Sequence, residues 1–302
     1  MAPTITPLDA TLGATVTDID LAELDAAAWA VVEDAFHQYA LLIFPGQNLG
    51  RTAQEAFAAR FGEIEILRGD SDARSVEISN AKPDGTVAKA EEHRFKVLRG
   101  NEGWHTDSSY MPLAAKASVL SAVRVPPTGG ETEWADMRAA WDALDDVRKR
   151  RISGLSAYHS LYQSQARMGF EIRTGAGYGY HTKGAPLRPL VKTHPVTGRE
   201  SLFIGRHAYR IPGLDDGDAR ALLDELQAFA CRPPRIHAHR WRPGDTIIWD
   251  NRCVLHRARP YDFDLPRVMR HTRVAGDPAT ELARETTPDD RADAYAPTAS
   301  NR

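Results

Sequence analysis

Two short segments, far apart in the chain, contain residues of the types that bind transition metals. The first contains His105 and Asp107, and the second contains His256, which is followed eleven residues later by Arg267. Side chains alternate between the faces of a strand, so a strand at the first segment would project His105 and Asp107 to the same side. Two neutral imidazoles and one carboxylate suit ferrous iron that reacts with dioxygen, because they leave coordination positions open. The three residues therefore predict an iron-dependent oxygenase.

An alternative from another class is a non-catalytic binding protein in which the same imidazoles hold a structural zinc ion. Structural zinc prefers four ligands, usually including thiolates. Neither Cys231 nor Cys253 lies at a suitable spacing. Both cysteines are predicted to be thiols packed in the core. The spacing favours the oxygenase.

The electrons that dioxygen requires must come from another molecule. The chain has no Gly-x-Gly-x-x-Gly turn for a nucleotide cofactor and no cysteine cluster. 2-Oxoglutarate can supply the electrons, and it chelates iron through its keto oxygen and adjacent carboxylate. The planar guanidinium of Arg267 is the candidate partner for the distal carboxylate. Thr132 is either a second donor to that carboxylate or an ordinary strand residue. The predicted cofactor set is Fe(II), 2-oxoglutarate and O2.

Many short strands must position these residues. Apolar patterns predict helices at about 25–39, 52–61 and 216–229, and strands that include 40–44, 117–125, 246–250 and 267–274. The alternating strand and helix pattern of a doubly wound fold is absent. We therefore predict an α+β fold that is mainly β, with a double-stranded β-helix (jelly roll) core and helical decorations.

Two segments, 64–103 and 160–188, show little periodicity and are too long for ordinary connections. We predict them to be active-site loops or inserts, and the first to be either a mobile lid or a solvated insertion. Residues 1–280 are predicted to form a single domain. Residues 281–302 are charged and rich in alanine and proline, which predicts a disordered tail.

The bulk composition limits the partners of the protein. The chain has 302 residues, of which 42% are hydrophobic, and its net charge of −3 gives no reason to expect binding to nucleic acid. No apolar run approaches the roughly 18 to 20 residues that a membrane span needs, and the N-terminus does not resemble a secretory signal. We expect a cytoplasmic protein with a small anionic organic substrate. A homo-oligomer is possible.

Several motifs give the chain a resemblance to a known family. From Leu12 to Gly276 it resembles the taurine dioxygenase and 2,4-dichlorophenoxyacetate dioxygenase family of iron(II)/2-oxoglutarate oxygenases. The resemblance implies that His105, Asp107 and His256 are the iron ligands. It also implies that Thr132 and Arg267 hold 2-oxoglutarate. The motifs that carry it are Ala40-Leu41-Leu42-Ile43-Phe44-Pro45-Gly46-Gln47, Arg60-Phe61-Gly62, Trp104-His105-Thr106-Asp107, Gly129-Gly130-Glu131-Thr132, Trp249-Asp250-Asn251-Arg252, Leu255-His256-Arg257-Ala258 and Arg267-Val268-Met269.

Other segments, among them Ile204-Gly205-Arg206-His207-Ala208 and Leu265-Pro266-Arg267-Val268-Met269, resemble the (S)-selective phenoxypropionate dioxygenases. That resemblance implies hydroxylation of the carbon next to the ether oxygen of an aryloxyalkanoate. The product collapses to a phenol and a 2-keto acid, with succinate and CO2 released from 2-oxoglutarate. The alternative is another small anion, such as an alkyl sulfonate, an alkyl sulfate or an amino acid.

The residue that binds the substrate anion remains open. The family usually has a second arginine four residues after the position of Arg267, whereas this chain has His271 there. If the strand is regular, Arg267, His271 and Arg273 share one side of it. The remaining candidates are Arg206, His207 and Tyr209, and Ser108 could line the pocket wall.

Overall fold

The computed structural model describes residues 2–67, 74–170, 174, 175 and 177–295. The strands are β1 Thr4–Pro7, β2 Ala14–Thr17, β3 Leu41–Phe44, β4 Val76–Ser79, β5 Ala115–Arg124, β6 Thr132–Asp136, β7 Ser156–His159, β8 Ala185–Pro189, β9 Val191–Thr193, β10 Glu200–Leu202, β11 Ala208–Tyr209, β12 Ile236–His239, β13 Thr246–Asp250, β14 Val254–Ala258, β15 Val268–Ala275 and β16 Thr286–Thr287. The α-helices are α1 Ala26–Tyr39, α2 Arg51–Ala59, α3 His93–Gly100, α4 Met137–Asp142, α5 Asp146–Ile152, α6 Leu161–Ala166, α7 Asp216–Ala230, α8 Pro278–Glu281 and α9 Asp290–Tyr295, and Leu21–Glu23 forms a short 3₁₀ helix. None of these helices is long and apolar enough to cross a membrane.

The largest sheet has seven strands in the order β1-β2-β3-β13-β5-β15-β4. Its central strands pair antiparallel, so that β13 lies between β3 and β5, which are remote from it in sequence. A smaller sheet has the order β12-β6-β14. Such pairing between distant strands is what a jelly roll requires, and the predicted double-sheet core with helical decorations is confirmed.

The side chains of β13 show how the large sheet is buried on both faces. Ile248 packs in a cluster with Phe36 of α1 and Phe57 of α2. Its neighbours Ile247 and Trp249 point the other way, into a second cluster that includes residues of the small sheet. Successive residues of a strand face opposite sides, so one face supports the helices and the other faces the small sheet.

The two inserts are more regular than the sequence predicts. The first contains β4, which pairs with β15 at the edge of the large sheet, and the helix α3. The second contains α6 and the start of β8. Residues 68–73, 171–173 and 176, which belong to these predicted loops, lie outside the described residues. The periodicity is weak because β4 is short and lies at a sheet edge.

The prediction of a disordered tail from residue 281 is wrong for residues 281–295. Strand β16 pairs with β8, and α9 follows it. The Ser160 hydroxyl donates a hydrogen bond to Asp289, and Ala292 is buried with Tyr162 and Tyr180. Tertiary contacts, which local composition does not reveal, order this segment.

Candidate functional site

The three predicted metal ligands come together where the two sheets face each other. His256 lies on β14, and its backbone exchanges two hydrogen bonds with that of His105, at N–O distances of 3.0 and 2.8 Å. Candidate ligand atoms of His105, Asp107 and His256 all lie within 4.8 Å of one another. All three residues are buried.

The two imidazoles are in the state that metal binding requires. His105 Nδ1 lies 2.7 Å from the carbonyl oxygen of Gly103. A carbonyl only accepts, so Nδ1 carries the proton and Nε2 keeps its lone pair. Burial lowers the pKa of His105 to about 4 and also lowers the pKa of His256. Both rings are therefore neutral near pH 7.

Asp107 does not lie on the regular strand that the spacing predicted. His105 makes a single bridge, and the chain turns from Asp107 onward, with Ser108 at a φ of 55°. A distant segment stabilises the turn, because the Thr106 hydroxyl donates a hydrogen bond to the backbone carbonyl of Asn251 at 2.7 Å. His105 and Asp107 nevertheless bring candidate ligand atoms within 4.8 Å of each other.

The carboxylate of Asp107 is kept ionised by its neighbours. Burial alone would raise its pKa, but Arg273 lowers it well below the usual value, with His256 and His271 also contributing. Arg273 Nη2 lies 3.1 Å from Asp107 Oδ1, and the Ser118 hydroxyl donates to Oδ2 at 2.6 Å. The site therefore offers two neutral nitrogens and one anionic oxygen, a donor set that fits Fe(II) and leaves positions open.

A second group of possible ligands, His194, Asp250 and Cys253, is also within 4.8 Å of one another. Here Asp250 already has partners: Arg252 binds both carboxylate oxygens, and His194 Nε2 lies 3.0 Å from Oδ2. We interpret this group as a structural ion-pair cluster. Both cysteines are free thiols, as predicted, and Cys253 is buried.

Thr132 and Arg267 line a small cavity together with the three metal-ligand candidates. Arg267 is buried, its Nη2 donates to the carbonyl of Gly130 at 3.1 Å, and it makes no ion pair with an acidic side chain in the described ranges. Burial lowers its pKa to about 10, so it stays charged at neutral pH. The Thr132 hydroxyl accepts from Trp241 Nε1 at 2.9 Å and keeps its own proton to donate.

A larger cavity of about 330 Å³ shares His105 and Asp107 with the small cavity as lining residues. The two inserts build much of its wall. Its apolar lining includes Val76, Ile78, Val97, Leu98 and Leu161. This size and composition are typical of a site for a small organic ligand.

Arg206 and His207 both line this larger cavity. Arg206 Nη2 donates to Gln165 Oε1 at 2.7 Å, and none of the acidic side chains that the structure describes forms an ion pair with it. Burial lowers its pKa to about 10, which leaves it charged at neutral pH. His207 lies edge-on to His105, with ring centroids 5.8 Å apart. Arg206 is thus a cation without an anionic partner beside the metal-ligand candidates.

The other substrate-binding candidates are placed differently. Arg273 and His271 line both cavities, but Arg273 is paired with Asp107, and His271 stacks on Trp249 at a centroid distance of 6.0 Å. Ser108 and Tyr209 do not line the larger cavity, although Ser108 contacts Arg273.

Sequence reasoning missed three residues of this site. Ser118 binds Asp107 from β5, a strand that contains other polar residues, so its residue type alone did not single it out. Glu65 and Tyr178 contact Ser108, at 3.0 and 2.9 Å, from the start of the first insert and from the second. No pattern in those aperiodic segments could have identified them.

Comparisons with known proteins agree with this geometry. The family model described as "Taurine catabolism dioxygenase TauD, TfdA family" matches residues 4–274. The chain is 51% identical over 285 residues to the (S)-phenoxypropionate/alpha-ketoglutarate-dioxygenase of Sphingobium herbicidovorans, covering 92% of this chain and 97% of that protein. It is 53% identical over 286 residues to the protein of the same name from Delftia acidovorans, with the same coverage.

A solved structure extends the likeness to the fold. The crystal structure of AAD-2 in complex with Mn(II) and N-oxalylglycine matches with a TM-score of 0.83 and 37% sequence identity, covering 96% of this chain and 100% of that one. The jelly-roll core agrees with it. The chain therefore belongs to the taurine catabolism dioxygenase TauD, TfdA family, and it is an enzyme that uses Fe(II), 2-oxoglutarate and O2, as its sequence predicted.

Proposed function

We propose that the protein hydroxylates the carbon next to the ether oxygen of an aryloxyalkanoate of the phenoxypropionate or phenoxyacetate type. The hydroxylated product collapses to a phenol and a 2-keto acid, while 2-oxoglutarate and O2 are converted to succinate and CO2. The observation that carries this proposal is a cavity beside the metal-ligand candidates that has apolar side chains in its wall together with Arg206, which forms no ion pair with the acidic side chains that the structure describes. The names of the relatives from Sphingobium and Delftia support it.

His105, Asp107 and His256 are the proposed iron ligands, and Arg267 with Thr132 the proposed partners of the distal carboxylate of 2-oxoglutarate. Bound iron supplies the activation of O2 and the removal of a hydrogen atom from the substrate carbon. The buried guanidinium of Arg267 attracts one carboxylate, and its fork can bind both oxygens. Burial of the small cavity excludes water from this ion pair, which strengthens it.

The substrate carboxylate is proposed to bind Arg206, with His207 beside it. Arg206 Nη2 donates hydrogen bonds to two uncharged groups, Gln165 Oε1 at 2.7 Å and the Ser164 hydroxyl at 3.4 Å. A substrate carboxylate would compete with these groups for the guanidinium. An anion therefore gains a charge-assisted hydrogen bond without breaking an existing ion pair. The aromatic ring of the substrate would then pack against the apolar wall that includes Val97 and Leu98.

The alternative substrates, an alkyl sulfonate, an alkyl sulfate or an amino acid, would use the same cation. A small anion such as taurine would leave the apolar wall of the cavity in contact with water, whereas a long alkyl chain would cover that wall as a phenyl ring does. The names of the relatives from Sphingobium and Delftia favour an aryloxyalkanoate over these alternatives. The free thiols of Cys231 and Cys253 are consistent with the proposed cytoplasmic location.

The test is a substrate panel with purified protein, Fe(II), 2-oxoglutarate and O2. It comprises both enantiomers of a phenoxypropionate, a phenoxyacetate, taurine, an alkyl sulfate and an amino acid. We expect phenol release matched by succinate formation with an aryloxyalkanoate. Succinate formation coupled only to taurine, the alkyl sulfate or the amino acid, with no phenol from any aryloxyalkanoate, would overturn the proposal.

A further inference from the structure

The two carboxylate oxygens of Asp107 lie in different surroundings. Oδ2 lies 3.8 Å from His256 Nε2 and accepts a 2.6 Å hydrogen bond from the Ser118 hydroxyl. Oδ1 instead lies 3.1 Å from Arg273 Nη2. One oxygen is thus directed at the imidazoles and the other at a guanidinium.

Arg273 also contacts two further side chains, which come from different parts of the chain. Its Nη1 donates to the Ser108 hydroxyl at 3.4 Å, and its guanidinium carbon lies 5.1 Å from the centre of the Tyr178 ring. Ser108 and Tyr178 in turn donate to the same oxygen of Glu65, at 3.0 and 2.7 Å. Arg273 thus contacts Asp107 directly and is linked to Glu65 through Ser108 and Tyr178, and only 13% of its side-chain surface is exposed.

This arrangement argues against a direct role of Arg273 in binding the substrate anion. Its guanidinium would have to leave Asp107, and a buried carboxylate that loses its partner is strongly destabilised. Arg206 faces the same cavity without such a competitor. Arg206 and Arg273 thus have different tasks.

We propose that Arg273 is a positioning residue that holds Oδ1 of Asp107 and so directs Oδ2 toward the metal. This inference rests on the proposed role of Asp107 as an iron ligand. Hydrogen-bonded partners of a metal-binding carboxylate fix its orientation, and their loss weakens metal binding about 10–100-fold. Through Tyr178 and Glu65, the orientation of Asp107 also depends on both inserts.

The test is a titration of metal-free protein with Mn(II), followed by electron paramagnetic resonance, with neither 2-oxoglutarate nor substrate present. We expect the Kd for Mn(II) to rise about 10–100-fold in Arg273→Gln. Arg273→Lys keeps the charge but loses the planar fork, so its Kd should lie between the two. The matched control is Arg270→Gln on the same strand, where Arg270 donates to the carbonyl of Leu49 at 2.7 Å, and its Kd should match that of the wild type.

Three outcomes would overturn the assignment. Unchanged Mn(II) affinity in Arg273→Gln, together with a raised KM for the aryloxyalkanoate, would make Arg273 a substrate ligand. Tighter Mn(II) binding in Arg273→Gln than in the wild type would show that the Arg273 guanidinium acts only by repelling the metal ion. An equal loss in Arg270→Gln would indicate a general structural effect. Arg273→Lys provides the same comparison if Arg273→Gln does not fold.

The same titration separates this inference from the function proposed above. Asp107→Ala should lose Mn(II) binding if Asp107 is a ligand. Retained binding there would refute the metal site, whereas loss in Asp107→Ala with wild-type binding in Arg273→Gln would refute the positioning role alone. No substrate enters either comparison.

Discussion

His105 and His256, 151 positions apart in the chain, face each other in one antiparallel bridge, with their ring centroids 4.1 Å apart. Two backbone hydrogen bonds fix this pair before any ligand is bound. The backbone therefore places the two imidazoles side by side, and Asp107 is added by the turn that follows His105. Such preorganisation lowers the cost of collecting metal ligands.

Replacement of one imidazole should remove metal binding without unfolding the protein. We expect His105→Ala to weaken Mn(II) binding by at least the 10–100-fold that is typical of losing an outer partner. His237→Ala is the matched control, because His237 lies on β12 and lines neither cavity described above. Titration with Mn(II) measures the effect, and wild-type affinity in His105→Ala would contradict the site.

Arg267→Gln should act on 2-oxoglutarate. Loss of one partner of a buried charge pair costs about 2 kcal/mol or more, so we expect the KM for 2-oxoglutarate to rise at least about 30-fold. The KM for the aryloxyalkanoate and the Kd for Mn(II) should change little. Arg124→Gln, at the exposed end of β5, is the control. If the two variants had the same KM for 2-oxoglutarate, another residue would hold its distal carboxylate.

Arg206→Gln should act on the substrate carboxylate instead. We expect kcat/KM for a phenoxypropionate to fall at least about 30-fold, with the Kd for Mn(II) unchanged. The wild type should also prefer the carboxylate over its uncharged primary amide, and the variant should lose that preference. Competition kinetics with the acid and its amide measure this. A preference that survives in the variant would assign the anion to another residue.

Asp250 should contribute to stability in a pH-dependent way. Burial alone would raise its pKa, but Arg252 and His194 lower it below the usual value. A lowered folded-state pKa stabilises the fold above the unfolded pKa of about 4, and this stabilisation is lost as the pH falls through the folded value. We expect Asp250→Asn to lower the free energy of unfolding by about 3–5 kcal/mol at pH 7.

Urea unfolding of metal-free protein at pH 7 and at decreasing pH tests this expectation. The difference in the free energy of unfolding between wild type and Asp250→Asn should become smaller below about pH 4, because the wild-type carboxylate then becomes protonated and no longer stabilises the fold. The control is Ser121→Ala, which removes a buried hydroxyl that lies 2.9 Å from the Thr246 hydroxyl and does not titrate, so its effect on the free energy of unfolding should not change with pH. If the difference in the free energy of unfolding between wild type and Asp250→Asn were constant with pH, the ionised form of Asp250 would not stabilise the fold.

Much of the architecture could be predicted from local patterns. The helices at 26–39 and 216–230 follow apolar spacing and begin after Asp25 and Asp215, whose side chains accept from backbone N–H groups of the first turn. The strand at 41–44 is a continuous apolar run because both faces of the large sheet are covered. Such signals are local, and a single sequence displays them.

Residue types and spacing predicted the cofactor set, and motifs along the chain implied the family by resemblance. The comparisons confirm both. The assignment of His105, Asp107 and His256 as the iron ligands stays a prediction, which their convergence in the structure supports. The tertiary structure distinguished the cations from one another. Arg206 and Arg273 look equivalent in the sequence, yet only Arg273 is paired with Asp107. The order of the segment after residue 281 likewise depends on β8 and α6. Ion pairing and burial depend on contacts between segments remote in the chain, which no local pattern records.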